Sequence, residues 1–300
     1  MTAVRWIVVG LLAMLLLLVA AHGFASRGPS SFEAQFRTQS ADALAVASAP
    51  SGVISDAEVD ALPAPVAEYV RRSGAVGQPH LRSFYAEIHG RIRSGPGDTW
   101  MPYTVRQLNT YGPHPHRFFL MNATRFGLPV RVFHAYDEHA TMRGRLLDVV
   151  PVVQAAGDEM DRSETVTLLN DLVLFAPGAL VDAPIRWTNV TGTTVDATYT
   201  RGDQTITARL VFSNGDLVDF VSDDRMRASG DGSTFTPQRW STPVSGYAVF
   251  GDRRIAAQGL GRWSAPAPEG QFTYIELTVD DIAYNVNPDR VRPRAAQAEK

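Results

Sequence analysis

The stretch that decides the fold runs from Asp161 to Phe175 and reads DRSETVTLLNDLVLF. An aspartate followed three residues later by Glu164 has the form of a capping box, so we expect a helix to begin at this point. From Val166 to Phe175, apolar side chains occupy nearly every side of that helix. A helix that is apolar all round must be covered by protein or by ligand on every side. The sequence therefore predicts one buried helix.

The segments on both sides of this helix show the two-residue repeat of half-buried strands. Phe84, Ala86 and Ile88 alternate with polar residues before it, as do Leu210 and Phe212 after it, and this period is typical of sheet. The predicted strands span residues 81–92, 101–110, 116–123, 128–139, 185–190, 193–200, 204–213, 217–222, 235–240, 245–250, 253–263 and 271–284, with residues 144–157 as a loop.

No repeat of fixed period accompanies these strands, which disfavours propellers and solenoids. An antiparallel sheet with an apolar face must close on itself or be covered, and an apolar helix is a natural filler. The predicted fold class is mainly β (α+β), with one large curved antiparallel sheet or half-barrel that encloses the buried apolar helix.

The N-terminus carries a long apolar segment, from Trp6 to Ala25, which only His22 interrupts. At about 1.5 Å of rise per residue, such a helix spans nearly the whole ~30 Å hydrocarbon core of a bilayer. Residues 1–27 are therefore predicted to be a transmembrane anchor or an uncleaved signal. The chain has no cysteine, which suits an oxidising compartment, so we expect the C-terminal domain to be extracytoplasmic. The alternative is secretion after cleavage of a signal peptide.

Three further segments complete the predicted organisation. Residues 28–60 are rich in Ala, Ser, Gln and Pro, which predicts a juxtamembrane spacer that is helical in part, from Ser31 to Ala47. From Leu62 to Gly74, prolines at the start and arginines in the last turn indicate a short amphipathic helix. This helix opens a single β-rich half-barrel domain over residues 61–287, and the polar residues 288–300 are predicted to form a disordered tail.

Composition and motifs disfavour most chemistries. The formal net charge is −3 and acidic and basic residues are interleaved, so nucleic acid is not a predicted partner. Without cysteine, a disulfide framework, a thiolate zinc site and a cysteine nucleophile are excluded. The chain has no Gly-x-Ser-x-Gly elbow and no glycine-rich phosphate loop before a helix. We therefore predict neither catalytic residues nor a cofactor, and we do not expect an enzyme.

His134 and His139, with Asp137 and Glu138 between them, form the densest group of potential metal ligands. Because the two histidines are five residues apart, they point to opposite faces of a strand and cannot reach one ion without a bulge. No metal site is predicted here. A hydrolase that gathers this segment with other polar residues in a cleft is a third hypothesis, beside the two functions given below.

Four segments of the chain occur together in a recognisable combination: Leu62–Tyr69, Met142–Gly144, Arg162–Asp171 and Phe175–Pro177. They resemble a bacterial family of membrane-anchored proteins of unknown function, and the resemblance covers residues 62–286. It implies a place in the bacterial cell membrane, as a single-pass protein, and no catalytic residues. The order of strands around a buried helix is also similar to the LolA-like half-barrel carriers of the bacterial envelope, which hold an acyl chain between a curved sheet and helices. This second resemblance concerns the fold alone.

The buried helix also holds the candidate binding residues. Asn170 and Asp171 are polar groups in an apolar helix, and a buried amide or carboxylate is costly unless it is hydrogen-bonded. We expect their partners to be sheet backbone, an arginine such as Arg186 or Arg225, or the headgroup of a ligand. The predicted lining of a ligand cavity is Val166, Leu169, Asn170, Val173, Phe175 and Trp187.

Two functions agree with these predictions. The first is a membrane-tethered extracytoplasmic protein that binds an apolar ligand, a lipid or an acyl chain, in a half-barrel cavity. The second is a non-catalytic structural or interaction domain of the cell envelope with a solid core. The membrane is the expected partner in the first, and the sequence indicates no particular protein partner.

Overall fold

The structure, a computed structural model, describes residues 2–48 and 51–291; of residues 2–4, 11, 12 and 15–21 it describes the backbone alone. In these residues it contains five α-helices, α1 to α5 in chain order: Thr2–Arg27, Phe32–Val46, Asp56–Asp60, Ala64–Arg72 and Asp158–Phe175. The strands β1 to β16 of the same residues are Ser83–Ile92, Met101–Thr110, Arg117–Arg125, Leu128–Tyr136, Ala140–Leu146, Val150–Ala156, Ile185–Thr188, Thr194–Arg201, Gln204–Ser213, Asp216–Ser222, Met226–Ala228, Phe235–Pro237, Arg239–Ser241, Val244–Phe250, Arg253–Ser264 and Gln271–Tyr284.

Fourteen of these strands form one antiparallel sheet. Its order is β6-β5-β4-β3-β2-β1-β16-β15-β13-β10-β9-β8-β7, and β14 pairs with β15 beside this path. Strands β11 and β12 form a separate two-stranded ribbon. Because β6 and β7 are the two edges, the sheet is not closed. The prediction of a mainly β fold with one large antiparallel sheet and a helix is confirmed.

The sheet curves around α5. This helix contacts β5 and β6 near one edge of the sheet and also β8, β9 and β10 near the other. Every residue from Met160 to Phe175 except Arg162 is buried. A single helix can touch strands near both edges only if the sheet bends over it. The predicted buried helix therefore exists, and it is the centre of the fold.

The predicted start of this helix is wrong. The helix begins at Asp158 after Gly157, which has a φ of +99°, and a glycine adopts such a conformation readily. Asp161 therefore lies inside the first turn, where its carboxylate accepts a hydrogen bond from the backbone N–H of Ala140 and contacts Nδ1 of His139 at 2.8 Å. Asp161 therefore does not cap the helix, and its carboxylate instead connects α5 to the start of β5.

The predicted loop over residues 144–157 is also wrong, because this segment belongs to the β5–β6 hairpin. Leu147 and Asp148 form its turn and both have positive φ values, 54° and 61°. On the edge strand β6, Val150 and Val152 are 50% and 38% exposed. Apolar residues on both faces of an edge strand erase the polar alternation that identifies strands in a sequence.

Residues 28–60 do more than space the domain from the N-terminal segment. Ser31 accepts a hydrogen bond from the backbone N–H of Ala34 (3.1 Å) and caps α2. Phe32 and Phe36 of this helix are buried, and their rings lie 6.0 and 6.4 Å from that of Phe133 on β4. Helix α2 thus covers the outer face of the sheet, and the predicted spacer is in part an integral element of the domain.

The N-terminal and C-terminal predictions rest partly on residues outside this description. In the residues whose placement is described, no helix is long and apolar enough to cross a membrane. The side chains of residues 11, 12 and 15–21, which belong to the predicted span from Trp6 to Ala25, lie outside the described part. The predicted tail begins with a short helical turn, Pro288–Arg290, and residues 292–300 lie outside the described part.

Candidate ligand-binding cavity

A cavity of about 660 Å³ lies between α5 and the sheet. Its wall comprises one face of α5, side chains of β1 to β6 and of β13, β15 and β16, and the ribbon β11–β12. Ligand pockets in proteins typically measure about 300–1,000 Å³, so the cavity has the size of a site for a small molecule.

Methionine is concentrated in this wall. Of the seven methionines in the chain, five line the cavity: Met101, Met121, Met142, Met160 and Met226. The remaining two belong to the N-terminal segment. Methionine is unbranched and polarizable, so it adapts to ligands of different shape and is common at promiscuous apolar binding surfaces. The wall can therefore accommodate a flexible apolar ligand.

A buried charged centre forms one part of the wall. Arg117 on β3 approaches two carboxylates of α5, with Nε 2.6 Å from Oδ2 of Asp171 and Nη1 2.9 Å from Oε2 of Glu164. His134 on β4 places Nδ1 3.2 Å from the second oxygen of Glu164. Glu164 and Asp171 share a helix face because they are seven residues apart. The arginine thus joins β3 to two positions on α5 that are about two helical turns apart.

The two carboxylates respond differently to this environment. Burial raises the pKa of Glu164, but Arg117, His134 and Arg225 together outweigh it and lower the pKa to about 2. Burial also raises the pKa of Asp171, and there it outweighs Arg117 and the hydrogen bonds that the carboxylate accepts. Glu164 is therefore the firmly ionised partner of Arg117 at neutral pH.

The remaining partners of the polar helix residues are side chains of the sheet. Gln107 and Asn109 of β2 donate to Oδ2 of Asp171 at 2.7 and 3.2 Å. Asn170 donates to Oγ1 of Thr242 at 2.6 Å. The prediction that sheet backbone or an arginine such as Arg186 or Arg225 ties Asp171 named the wrong groups: the arginine is Arg117.

The predicted cavity residues divide between the two faces of α5. Asn170 and Phe175 line the cavity. Val166, Leu169 and Val173 do not line it; they are fully buried in the apolar core on the other face, where the backbone of Val173 accepts a hydrogen bond from Tyr69 of α4 at 2.9 Å.

Trp187 does not line the cavity either. It is half-buried on β7 and packs against the same core as the apolar face of α5. The helix face that does meet the cavity is the more polar one, with Ser163, Glu164, Thr167, Asn170 and Asp171. We expected the apolar face to meet the ligand, whereas the sheet itself covers that face.

Sequence reasoning also missed Arg117, although β3 contains a usable signal. The strand starts Arg117-Phe118-Phe119-Leu120-Met121, and alternate residues of a strand point to opposite faces. Arg117, Phe119 and Met121 line the cavity, while Phe118 and Leu120 pack in the core beneath α2. A strand that is apolar on both faces must be covered on both, so this pattern predicts that protein or ligand lies on each side of β3.

The histidine segment is not gathered into one site. His134 contacts Glu164, whereas His139 contacts Asp161, one turn earlier on α5. In the described residues, no group of three or more histidine, aspartate or glutamate side chains could hold a metal ion.

The more exposed rim of the cavity is held by one ion pair. Arg227 of the ribbon β11–β12 places Nη1 2.6 Å from Oε2 of Glu269, in the β15–β16 connection, and donates to the backbone carbonyl of Ser94 at 3.1 Å. At the tip of the ribbon, the backbone carbonyl of Asp231 accepts from the N–H of Gln154 on β6 at 2.9 Å. The ribbon is therefore fastened at both ends over the cavity.

The chain belongs to a family of unknown function, DUF6544, whose model matches residues 52–277. This confirms membership of a family of unknown function, which four sequence segments predicted. No curated protein matches the chain.

Three solved structures are similar to the chain. A LolA superfamily protein from Nitrosomonas europaea has 10% identity and a TM-score of 0.40, covering 78% of this chain and 99% of its own. A DUF1329 family protein from Desulfovibrio piger has 13% identity and a TM-score of 0.37, covering 78% and 94%. A domain named for outer membrane lipoprotein sorting, from Vibrio parahaemolyticus, has 9% identity and a TM-score of 0.37, covering 68% and 85%.

Proposed function

We propose that this protein is a membrane-tethered, extracytoplasmic protein that holds an apolar ligand, a lipid or an acyl chain, in the cavity between α5 and the sheet. The observation that carries the proposal is the cavity of about 660 Å³, lined by five methionines together with aromatic and aliphatic side chains. Native cores are packed without voids of this size, which counts against the alternative of a structural domain with a solid core.

The test of ligand binding uses the full chain in lipid nanodiscs and a palmitic acid analogue that carries a photoactivatable diazirine in its chain. After illumination, mass spectrometry identifies the labelled peptides. We expect label on β3 to β6 and α5. Label confined to the N-terminal segment would refute the proposal.

Two neighbouring valines of β6 provide a matched pair of variants. Val153 lines the cavity, whereas Val152 does not line it and is 38% exposed. Val153→Trp places an indole in the cavity, so we expect labelling to fall several-fold. Val152→Trp adds the same side chain outside the cavity and should leave labelling unchanged. Equal labelling of the two variants would contradict binding in this cavity.

The tether is tested separately. The proposal rests on the apolar segment from Trp6 to Ala25, whose length suits a bilayer span. We expect a C-terminally tagged full chain to remain in the membrane fraction after alkaline carbonate extraction, with its tag digested when protease is added to spheroplasts. Release by carbonate, or a tag protected from protease, would contradict the tether or its orientation.

A further inference from the structure

Arg225 is a cation of the cavity wall that forms no direct ion pair with a carboxylate among the described residues, although its charge helps to lower the pKa of Glu164. It lies between β10 and β11, and its guanidinium carbon is 4.4 Å from the ring centroid of Trp240 and 5.2 Å from that of Trp263. Its Nε donates to Oγ1 of Thr167 on α5 at 3.2 Å. Among the described residues, the two terminal nitrogens have no hydrogen-bond partner. Two aromatic rings and one hydrogen bond thus hold the guanidinium in place, and its two terminal nitrogens can still donate hydrogen bonds to a ligand.

The other arginines of the wall use their donors within the protein. Arg117 pairs with Glu164 and Asp171, and Arg227 pairs with Glu269. Arg93 donates to the backbone carbonyls of residues 273 and 96 at 2.9 and 2.6 Å.

These four arginines face three carboxylates in the described wall, so its formal charge is +1 with His134 neutral. An unpaired cation in a largely apolar recess carries a desolvation cost, which a bound anion offsets.

A second unused donor lies beside Arg225. Gln238 lines the cavity and is only 8% exposed, and its buried Nε2 has no hydrogen-bond partner in the part of the chain that the structure describes. The backbone joins the two residues, because the N–H of Gln238 donates to the carbonyl of Arg225 at 3.3 Å. Buried donors in native proteins are nearly always satisfied. The unsatisfied amide of Gln238, beside a half-buried guanidinium whose terminal nitrogens have no acceptor among the described residues, therefore indicates a ligand that supplies acceptors to both.

We infer that the ligand is an amphiphile with an anionic headgroup, a carboxylate or a phosphate monoester, which Arg225 and Gln238 bind while the chain lies among the methionines. Arginine suits this role because its planar fork matches the oxygens of both anions. Tryptophan rings on its face keep the cation oriented. This inference rests on the proposed function and adds the chemical class of its ligand.

The experiment compares three photoactivatable probes on the full chain in nanodiscs: palmitic acid, hexadecanol and hexadecyl phosphate, each with a diazirine in the chain. We expect the wild type to be labelled in the cavity by an anionic probe at least about tenfold more than by the alcohol, a ratio equivalent to ~1.4 kcal/mol. The acid and phosphate arms show which of the two headgroups is preferred.

Two variants test whether Arg225 causes the stronger labelling by the anionic probes. Arg225→Gln removes the cation, and Gln238→Glu supplies Arg225 with an internal carboxylate while the arginine stays in place. In both, we expect labelling by the anionic probes to fall to the level of the alcohol. The matched control is Arg209→Gln, because Arg209 is 57% exposed and pairs with Asp196 outside the cavity.

The outcomes separate this inference from the proposed function. If all three probes label the cavity equally, or if the anionic preference survives Gln238→Glu, the headgroup inference is overturned and the apolar site stands. If no probe labels the cavity, the proposed function fails and the inference fails with it.

Discussion

Replacing Arg117 by methionine tests how the buried charged centre stabilises the fold. The side chains of Arg117, Glu164 and Asp171 are only 6%, 1% and 6% exposed, and the arginine lies 2.9 and 2.6 Å from the two carboxylates. The variant leaves two acidic groups buried on one face of α5 without their cation. Removing one partner of a buried ion pair typically costs about 3–5 kcal/mol. For a domain of this size, such a loss lowers Tm by about 6–20 °C.

The pH dependence of this loss has a definite sign. In the wild type, the pKa of Glu164 is lowered to about 2, so its contribution is present above the ordinary value near 4.5 and is lost as the pH falls from about 4.5 to about 2. Without Arg117 the burial of Glu164 is opposed by less positive charge, and its pKa rises. We therefore expect the stability difference between Arg117→Met and the wild type to shrink as the pH falls from 7 to 5.

The assay is thermal unfolding of the full chain in nanodiscs, with tryptophan fluorescence as the signal that reports unfolding. The control is Arg209→Met, which removes an exposed ion pair and should cost no more than about 1 kcal/mol. A triple variant, Arg117→Met with Glu164→Gln and Asp171→Asn, removes the stranded charges and should regain much of the loss even if the single variant does not fold. The reasoning is refuted if Arg117→Met costs no more than Arg209→Met, or if the triple variant is no more stable than the single one.

Three further changes have defined outcomes. Burial raises the pKa of Asp219 to about 6, so the wild type should gain stability as the pH falls from about 6 to 4. Thermal unfolding should show that Asp219→Asn is about 1–2 kcal/mol more stable than the wild type at pH 7.5 and that it lacks this gain at lower pH. Arg227→Gln breaks the pair with Glu269 over the cavity, and hydrogen exchange of residues 226–237 should quicken about two- to fivefold without a large change in Tm; unchanged exchange would show that the pair does not fasten the ribbon. Phe36→Ala should cost about 3–5 kcal/mol because the ring is fully buried between α2 and the sheet, whereas Phe126→Ala, at a ring 82% exposed, should stay within about 0.5 kcal/mol.

Periodicity in the sequence was sufficient to predict the elements of this fold. Alternation over two residues indicated the strands, and the run from Val166 to Phe175 indicated one buried helix; both follow from the way side chains leave the backbone of each element. The same reasoning failed on β6, where apolar residues are exposed. It predicted helix α2 but not its packing against the sheet, because small residues dilute the apolar stripe of this helix. Local pattern does not show whether an apolar side chain meets protein or water.

The sequence alone could not show which face of α5 lines the cavity. Val166 and Glu164 lie on different sides of one helix, and either side could have met a ligand. Strands β8 to β10 cover the apolar side, which leaves the side with Glu164 and Asp171 to the cavity. The partner of these carboxylates, Arg117, comes from a strand more than forty residues away. Strand pairing brings such residues together, and it depends on contacts over the whole sheet.

The sequence by itself determined a mainly β domain with one buried helix, in a family of unknown function, because periodicity and local motifs are properties of short segments. Only the tertiary structure decided that a cavity remains beside that helix, that five methionines line it, and that Arg225 and Gln238 bring unused donors to the same place. A cavity is the space that many distant segments leave unfilled, so no single segment encodes it.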